Sequence, residues 1–136
     1  MSPLALDTSM ALPMVMESHE FGDAAAAWLD GRSARLTGHS QAETYSVMTR
    51  YPGDARVAPP DAARLLAATF GAPMTLSRSM TAKLPSVLAG ADISGGAVYD
   101  ALVALAAIEH DAELATRDAR AQRTYEALGA RVIVVG

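Results

Sequence analysis

The chain has 136 residues, of which 51% are apolar, so its length fits one domain with a self-sufficient core over residues 1–136. It contains no cysteine, which excludes disulfides and thiolate metal sites. Its 11 basic and 15 acidic residues give a formal charge of -4, which argues against nucleic-acid binding unless some of the acids hold metal cations.

Neither a secretion signal nor a membrane span is predicted. Residues 1–6 lack the basic start and the long apolar run of a secretory signal. The longest nearly apolar run, residues 98–108, is interrupted by Asp100 and is shorter than the ~20 residues that a membrane span needs. We therefore expect a soluble, cytoplasmic protein.

Strands and helices are predicted to alternate along the chain. In chain order they are a strand at 4–6, helices at 10–17 and 23–30, a strand at 35–37, helices at 40–50 and 59–70, a short strand at 74–76, helices at 77–89 and 97–110, a strand at 113–116, a helix at 119–128 and a strand at 131–135. Pro85 is expected to kink or divide its helix. Strands that alternate with helices imply a parallel sheet covered on both faces.

This pattern brings four acidic side chains to one edge of the sheet. Asp7 and Asp118 each follow a predicted strand, so both lie at the carboxyl end of the sheet, where α/β folds bind ligands. Glu43 and Asp100 lie in the first turns of helices that follow loops and can reach the same edge. Converging carboxylates repel one another unless a cation is present. Oxygen ligands favour Mg²⁺ or Mn²⁺, ions that activate water for phosphodiester hydrolysis.

Three of these acids also have a structural interpretation. Asp7 and Asp118 could each cap the helix that follows them. Ser40 and Glu43 match the spacing of a capping box, in which Ser is the N-cap residue and Glu is at N3. From the residues alone, capping and metal binding both remain open for these three.

Asp100 is harder to explain structurally. It shares a predicted helical face with Ala97, Ala104 and Ala107, and no Lys or Arg lies within a turn or two of it. A carboxylate that faces packed alanines costs several kcal/mol unless something compensates. The structural alternative is that Asp100 accepts hydrogen bonds from free N–H groups in the first helical turn.

Hydroxyl and basic side chains next to the acids are secondary candidates. Thr8, Ser9 and Thr116 could hydrogen-bond a ligating carboxylate or a metal-bound water, or could be ordinary turn residues. A second set, spaced by three, could hold RNA phosphates on one side of a helix or could form a solvated face; it consists of Arg117, Arg120 and Arg123. Three scattered histidines are interpreted as surface or capping residues: His19, His39 and His110.

Four segments of the chain resemble the four motifs of PIN domains, in the same order and at similar spacing. They are Leu-Asp-Thr-Ser at 6–9, Ala-Glu-Thr-Tyr-Ser-Val-Met-Thr-Arg at 42–50, Val-Tyr-Asp-Ala-Leu-Val-Ala at 98–104 and Leu-Ala-Thr-Arg-Asp at 114–118. The subgroup that the chain most resembles is VapC, the toxin of bacterial type II toxin–antitoxin pairs. One departure is the Met-Ala-Leu-Pro-Met run at 10–14, where the family usually has more β-branched residues.

The resemblance implies a three-layer α/β/α sandwich around a mostly parallel sheet of about five strands. It also implies an endoribonuclease that uses Mg²⁺ or Mn²⁺, with Asp7, Glu43 and Asp100 as metal ligands and Asp118 completing the site. A cognate antitoxin that lies across the active-site groove and a homodimer are further implications. Two alternatives stay open, namely another magnesium-dependent phosphoesterase and a non-catalytic RNA-binding or protein-binding module on the same fold.

Overall fold

A parallel sheet of four strands forms the centre of the domain in the computed structural model, which describes residues 2–136. The strands are β1 (Leu4–Leu6), β2 (Arg35–Leu36), β3 (Glu113–Thr116) and β4 (Arg131–Val134), and their order across the sheet is β2-β1-β3-β4. Leu6, the last residue of β1, pairs with Leu36 on one side and with Ala115 on the other. The carboxyl ends of the three strands therefore meet at one edge.

Within the described residues, seven α-helices connect and cover the strands. They are α1 (Thr8–Val15), α2 (Gly22–Leu29), α3 (Gly38–Arg50), α4 (Pro59–Phe70), α5 (Arg78–Gly90), α6 (Ala97–Glu109) and α7 (Ala119–Ala127), with a short 3-10 turn at Gly53–Ala55. Every strand joins the sheet in parallel through a helical crossover, which agrees with the predicted α/β class.

The core lies on both faces of the sheet. Successive residues of a strand point to opposite faces, and β1 shows this directly. Leu4 and Leu6 belong to a cluster with residues of α1, α2 and α4, whereas Ala5 belongs to a cluster with residues of α6 and α7. The predicted three-layer α/β/α sandwich is therefore confirmed.

The predicted fifth strand is wrong, and the sheet has four strands rather than about five. Of the segment 74–76, Met74 alone pairs, in an isolated parallel bridge with Thr37. Its N–H donates to the carbonyl of Leu36 at 2.8 Å, and its own carbonyl accepts from Gly38 N–H at 2.9 Å. The pairing stops there because the chain turns into α5, whose N-cap Ser77 is three residues further on.

The proline in α5 does not divide that helix. Pro85 lies inside a helix that continues from Arg78 to Gly90. A proline in a helix interior lacks the N–H that would bond the carbonyl four residues earlier, here that of Thr81. Most of α5 is exposed, so water can reach the carbonyl that Pro85 leaves without a partner.

Candidate metal centre

The structure brings the four predicted acids together in one cleft. Asp7, Glu43, Asp100 and Asp118 line a space of about 270 Å³. Asp7 directly follows β1 and Asp118 follows β3 by two residues, while Glu43 lies on α3 and Asp100 on α6. Four separate elements thus supply carboxylates to the carboxyl edge of the sheet, where the strand pattern predicts a ligand site.

Asp7 is buried, with 5% of its surface exposed, and both of its carboxylate oxygens have hydrogen-bond donors. Oδ1 accepts from the Ser9 hydroxyl at 2.6 Å and from the Met10 N–H at 3.3 Å. Oδ2 accepts from the Tyr125 hydroxyl at 2.8 Å. Asp7 is also the N-cap of α1, so the helix begins at Thr8 rather than at residue 10. Capping and a place in the cleft are therefore compatible for this residue.

The capping box at the start of α3 differs from the predicted one. Its members are Thr37 and Ser40: Ser40 N–H donates to the Thr37 hydroxyl at 3.1 Å, and Thr37 N–H donates to the Ser40 hydroxyl at 2.9 Å. The Ser40 hydroxyl also donates to the carbonyl of Leu6 at 3.0 Å, which ties α3 to the end of β1. Glu43 is consequently not part of the cap and extends into the cleft.

The Glu43 carboxylate contacts two side chains in the cleft. Thr8 donates its hydroxyl to Oε1, a contact that joins the first turns of α1 and α3. On the other oxygen, Oε2 lies 3.9 Å from Nε2 of His39, one helical turn earlier on α3. His39 lines the same cleft, whereas the sequence predicts a surface or capping residue. The spacing of four residues between His39 and Glu43, which places both on one side of a helix, is the signal that could have identified His39 as a residue of the cleft.

Asp100 has the electrostatic environment of a cation ligand. Burial and then the negative charges of Asp118, Glu43 and Asp7 raise the pKa of the Asp100 carboxyl, while His39 opposes this effect. The structural alternative finds no support, because within the described residues no capping hydrogen bond to a side chain forms at the start of α6. A positive charge in the cleft would relieve the repulsion among the four acids.

Asp118 lines the cleft and also caps a helix. It is the N-cap of α7, and its Oδ1 accepts from Arg120 N–H at 3.0 Å. Its own N–H donates to the Thr116 hydroxyl at 3.0 Å, so Thr116 has a turn role. The side chain remains 37% exposed, with Nε of Arg120 3.5 Å from Oδ1.

Ser9 links the two strand ends that carry Asp7 and Asp118. Its hydroxyl donates to Asp7 and accepts from Arg117 N–H at 2.8 Å. The Thr116 hydroxyl lies 3.3 Å away from the same oxygen. Ser9 thereby holds the segment that follows β3 against the segment that follows β1.

The three arginines do not form the predicted common face. Arg117 precedes α7, which begins at Ala119, and its guanidinium lies 3.6 Å from the ring centroid of Phe21. Arg120 is on α7 with 95% of its side chain exposed, and Arg123 is exposed as well. Two arginines are thus available to solvent, while the third packs on an aromatic ring.

Tyr125 is a second contributor to the cleft, besides His39, that the sequence analysis missed. It is 1% exposed on α7, one turn after the buried Ala121, and its hydroxyl reaches Asp7 from 118 residues away. Burial, followed by the charge and hydrogen bond of Asp7, raises the pKa of the Tyr125 hydroxyl, which therefore keeps its proton. The apolar spacing on α7 indicates a buried tyrosine, but the partner of its hydroxyl depends on the tertiary fold.

The chemistry of the donor set fits a hard divalent cation. The four acids offer oxygen atoms alone, and Mg²⁺ and Mn²⁺ prefer oxygen ligands. Among residues 2–136, however, no three His, Asp or Glu side chains are arranged so that they could hold one ion as placed. Binding of an ion would therefore require side chains at the cleft to rotate, and it would relieve the burial and repulsion that disfavour the charged form of Asp100.

Comparisons with known proteins agree with this architecture. The PIN domain family model matches residues 4–127. Two solved structures are similar over 96% of the chain. FitAcB from Neisseria gonorrhoeae has a TM-score of 0.65 at 17% identity, with 96% of that chain covered. FitAB bound to an IR36 DNA fragment has a TM-score of 0.67 at 18% identity, with 94% of that chain covered. At these identities the likeness concerns the fold alone.

Sequence relatives narrow the assignment. The chain is 60% identical over 132 residues to Ribonuclease VapC27 of Mycobacterium tuberculosis, with 97% of this chain and 96% of that protein covered. It is 40% identical over 133 residues to Ribonuclease VapC40 of the same species, with 97% and 98% covered. No helix within residues 2–136 is both long and apolar enough to span a membrane. The chain belongs to the PIN-domain family and, within it, to the VapC-type ribonucleases.

Proposed function

We propose that the chain is an endoribonuclease toxin of a VapBC-type toxin–antitoxin pair, which hydrolyses RNA in the acidic cleft and depends on Mg²⁺ or Mn²⁺. The observation that carries the proposal is the convergence of Asp7, Glu43, Asp100 and Asp118 from four elements on one cleft. Relatives at 60% and 40% identity are named ribonucleases, which supports the same reaction here.

In this proposal Asp7, Glu43 and Asp100 hold the ion, and Asp118 completes the site directly or through a water. When bound, a hard divalent ion orients a water, lowers its pKa and stabilises charge that develops on the phosphoryl group. The chain's own contribution is to orient the ligands. Tyr125 and Ser9 hold the two oxygens of Asp7.

The first test is to replace Asp7 by Asn. Asp7→Asn is expected to abolish RNA cleavage and growth inhibition while the fold survives, because Asn also caps helices but brings no charge for a cation. The matched control is Asp61→Asn, an exposed acid on α4 that pairs with Arg64. Cleavage of labelled RNA, growth after induction and the melting temperature are measured for both. Undiminished toxicity of a folded Asp7→Asn variant contradicts the proposal.

A second measurement separates the alternatives. Magnesium should raise the melting temperature of the wild-type chain, because an ion that binds only the folded state stabilises it. A melting temperature that does not respond to any divalent ion favours a non-catalytic binding module. Turnover of small phosphate esters without RNA cleavage favours a different phosphoesterase.

We further propose that a cognate antitoxin and a second copy of this chain are its protein partners, and that it acts in the cytoplasm. Membership of the VapC-type ribonucleases supports both partners. The antitoxin would inhibit by lying across the cleft. Co-expression with the product of a short neighbouring gene should then restore growth, and sedimentation of the purified chain should give the mass of two copies.

A further inference from the structure

A stacked aromatic pair lies at the rim of the acidic cleft and has no part in the proposed hydrolysis. The rings of His39 and Tyr99 have centroids 5.5 Å apart and planes inclined by 20°. His39 is in the first turn of α3, and Tyr99 directly precedes Asp100 on α6. The pair therefore bridges the two helices that bring Glu43 and Asp100 to the cleft.

Tyr99 is exposed to an unusual degree for an aromatic residue at a contact between helices. Its exposed fraction is 57%, the highest among the large hydrophobic residues of the described chain. An aromatic ring that only packed α3 against α6 would be largely covered by that contact. Exposed aromatic surface instead stabilises a complex when a ligand covers it.

The pair is continuous with the cleft. His39 lines the cleft together with the four acids, and its Nε2 lies 3.9 Å from the Glu43 carboxylate. A flat group stacked on this pair would therefore lie immediately beside a phosphate held in the cleft. In single-stranded RNA, each backbone phosphate has an unpaired base as its neighbour.

The charges near the cleft increase the need for such a contact. The chain has a formal charge of -4, and the guanidinium of Arg117 is occupied by the ring of Phe21. Of the three arginines near Asp118, this leaves the exposed Arg120 and Arg123 to bind phosphates of RNA beyond the one being cleaved. Stacking on aromatic side chains supplies binding energy without phosphate contacts and accepts every base.

We propose that His39 and Tyr99 form a stacking platform for one unpaired nucleobase of the RNA, next to the phosphodiester that is cleaved. This inference rests on the proposed ribonuclease function. It assigns these two side chains the role of stacking on the base beside the cut, and it assigns no base identity to that nucleotide.

The binding test does not depend on cleavage. A single-stranded RNA that contains 2-aminopurine is titrated with the Asp7→Asn chain in magnesium, and stacking is followed by quenching of its fluorescence. Tyr99→Leu removes the ring but keeps an apolar side chain, and it should weaken binding by roughly 5-fold to 150-fold. Tyr99→Phe should restore both affinity and quenching.

Tyr45→Leu is the matched control. Tyr45 is another exposed tyrosine on α3, 37% exposed, but it lies on a groove formed with α4 and not on the cleft. Its replacement should leave RNA binding unchanged. Equal RNA affinity of Tyr99→Leu and its parent, with no quenching in either, overturns the platform.

Kinetics in the otherwise wild-type chain distinguish the platform from the reaction. Tyr99→Leu should mainly raise KM. An RNA with an abasic nucleotide next to the cut should raise KM of the wild-type chain by a similar factor, and Tyr99→Leu should not raise KM for that RNA any further. If Tyr99→Leu cleaves RNA with the KM of the wild-type chain, the platform is overturned and the ribonuclease function is unaffected. Stacking of 2-aminopurine RNA without any cleavage by the wild-type chain supports the platform and contradicts the ribonuclease function.

Discussion

The two sides of the acidic cleft are built in opposite ways. On one side, the buried Asp7 has three hydrogen-bond donors, from Ser9, Met10 and Tyr125. On the other side, burial and then the charges of three further carboxylates raise the pKa of the half-buried Asp100. Donors stabilise a carboxylate without any ion. Asp7 therefore contributes to the stability of the fold as well as to the cleft, whereas burial and the neighbouring carboxylates disfavour the charged form of Asp100.

The largest expected loss of stability comes from a change on the Asp7 side of the cleft. Tyr125→Phe keeps the buried ring and removes the hydroxyl that donates to Asp7 Oδ2 at 2.8 Å. A hydrogen bond to a charged group contributes about 1.5–3 kcal/mol, so the free energy of unfolding should fall by about that amount. Denaturant unfolding measures this loss, with Tyr51→Phe as the control because Tyr51 packs on the opposite face of the sheet.

The same variant tests whether Tyr125 positions Asp7 for the reaction. Without its hydroxyl partner, Asp7 can rotate, so kcat should fall and more magnesium should be needed for half-maximal cleavage. A merely structural tyrosine would change the unfolding free energy and leave the magnesium requirement as in the wild type. That outcome would show that Tyr125 stabilises the fold and does not position Asp7 for the reaction.

The sequence predicts that the acids at the ends of the strands lie close together, but it does not predict the hydrogen bonds that hold Asp7 in place. Asp7 and Asp118 follow apolar strands, and parallel strands end at the same edge, so their proximity was predictable. The hydroxyl of Tyr125 was not, because its partner lies 118 residues away and depends on how α7 packs. The same holds for Thr37, whose capping role is visible only once Ser40 is anchored to the carbonyl of Leu6.

The sheet size shows a second limit of sequence-based prediction. Residues 74–76 have the apolar character of a strand, but strand formation requires an extended neighbour over several residues. The partner of Met74 is Thr37, which follows β2 and is the N-cap of α3, so the extended chain ends there and Met74 finds one partner. Apolar pattern alone cannot report the length of the strand on the other side.

On the Asp100 side of the cleft, we expect a substitution to raise the stability of the metal-free chain rather than to lower it. Because burial and like charges raise the pKa of Asp100 above its ordinary value of 3.8, ionisation of this group destabilises the metal-free fold. Asp100→Asn should therefore raise the melting temperature in EDTA at neutral pH. The difference should be small below pH 3.8 and should grow as the pH rises through the raised pKa.

Magnesium should reverse the order of the melting temperatures of the wild-type chain and Asp100→Asn. The melting temperature of the wild-type chain should rise more with the ion than that of Asp100→Asn, which lacks one of the proposed ligands. Asp61→Asn is again the control, because its carboxylate lies 2.6 Å from Arg64 and its loss should bring no stabilisation. A lower melting temperature of Asp100→Asn in EDTA would show that burial and repulsion of the Asp100 charge do not control stability at this position.

The smallest effect comes from a carboxylate that has donors, like Asp7, but lies outside the cleft and is exposed. Glu109, at the end of α6, accepts from the Ser77 N–H at 2.8 Å and the Ser77 hydroxyl at 2.6 Å. The Ser77 hydroxyl and then its N–H lower the pKa of Glu109 below the ordinary 4.5, so this contact stabilises the fold above pH 4.5 and is lost as the pH falls through the lowered pKa.

Glu109→Gln should therefore lower the melting temperature slightly at neutral pH and not at all in strong acid, without any change in cleavage or in the response to magnesium. Exposed contacts of this kind contribute little because water screens them. The variant thus measures what hydrogen-bond donors contribute to a carboxylate without burial. If Tyr125→Phe costs no more stability than Glu109→Gln, the burial of Asp7 adds nothing to its hydrogen bonds, and the contrast between the two sides of the cleft reduces to the charge on Asp100.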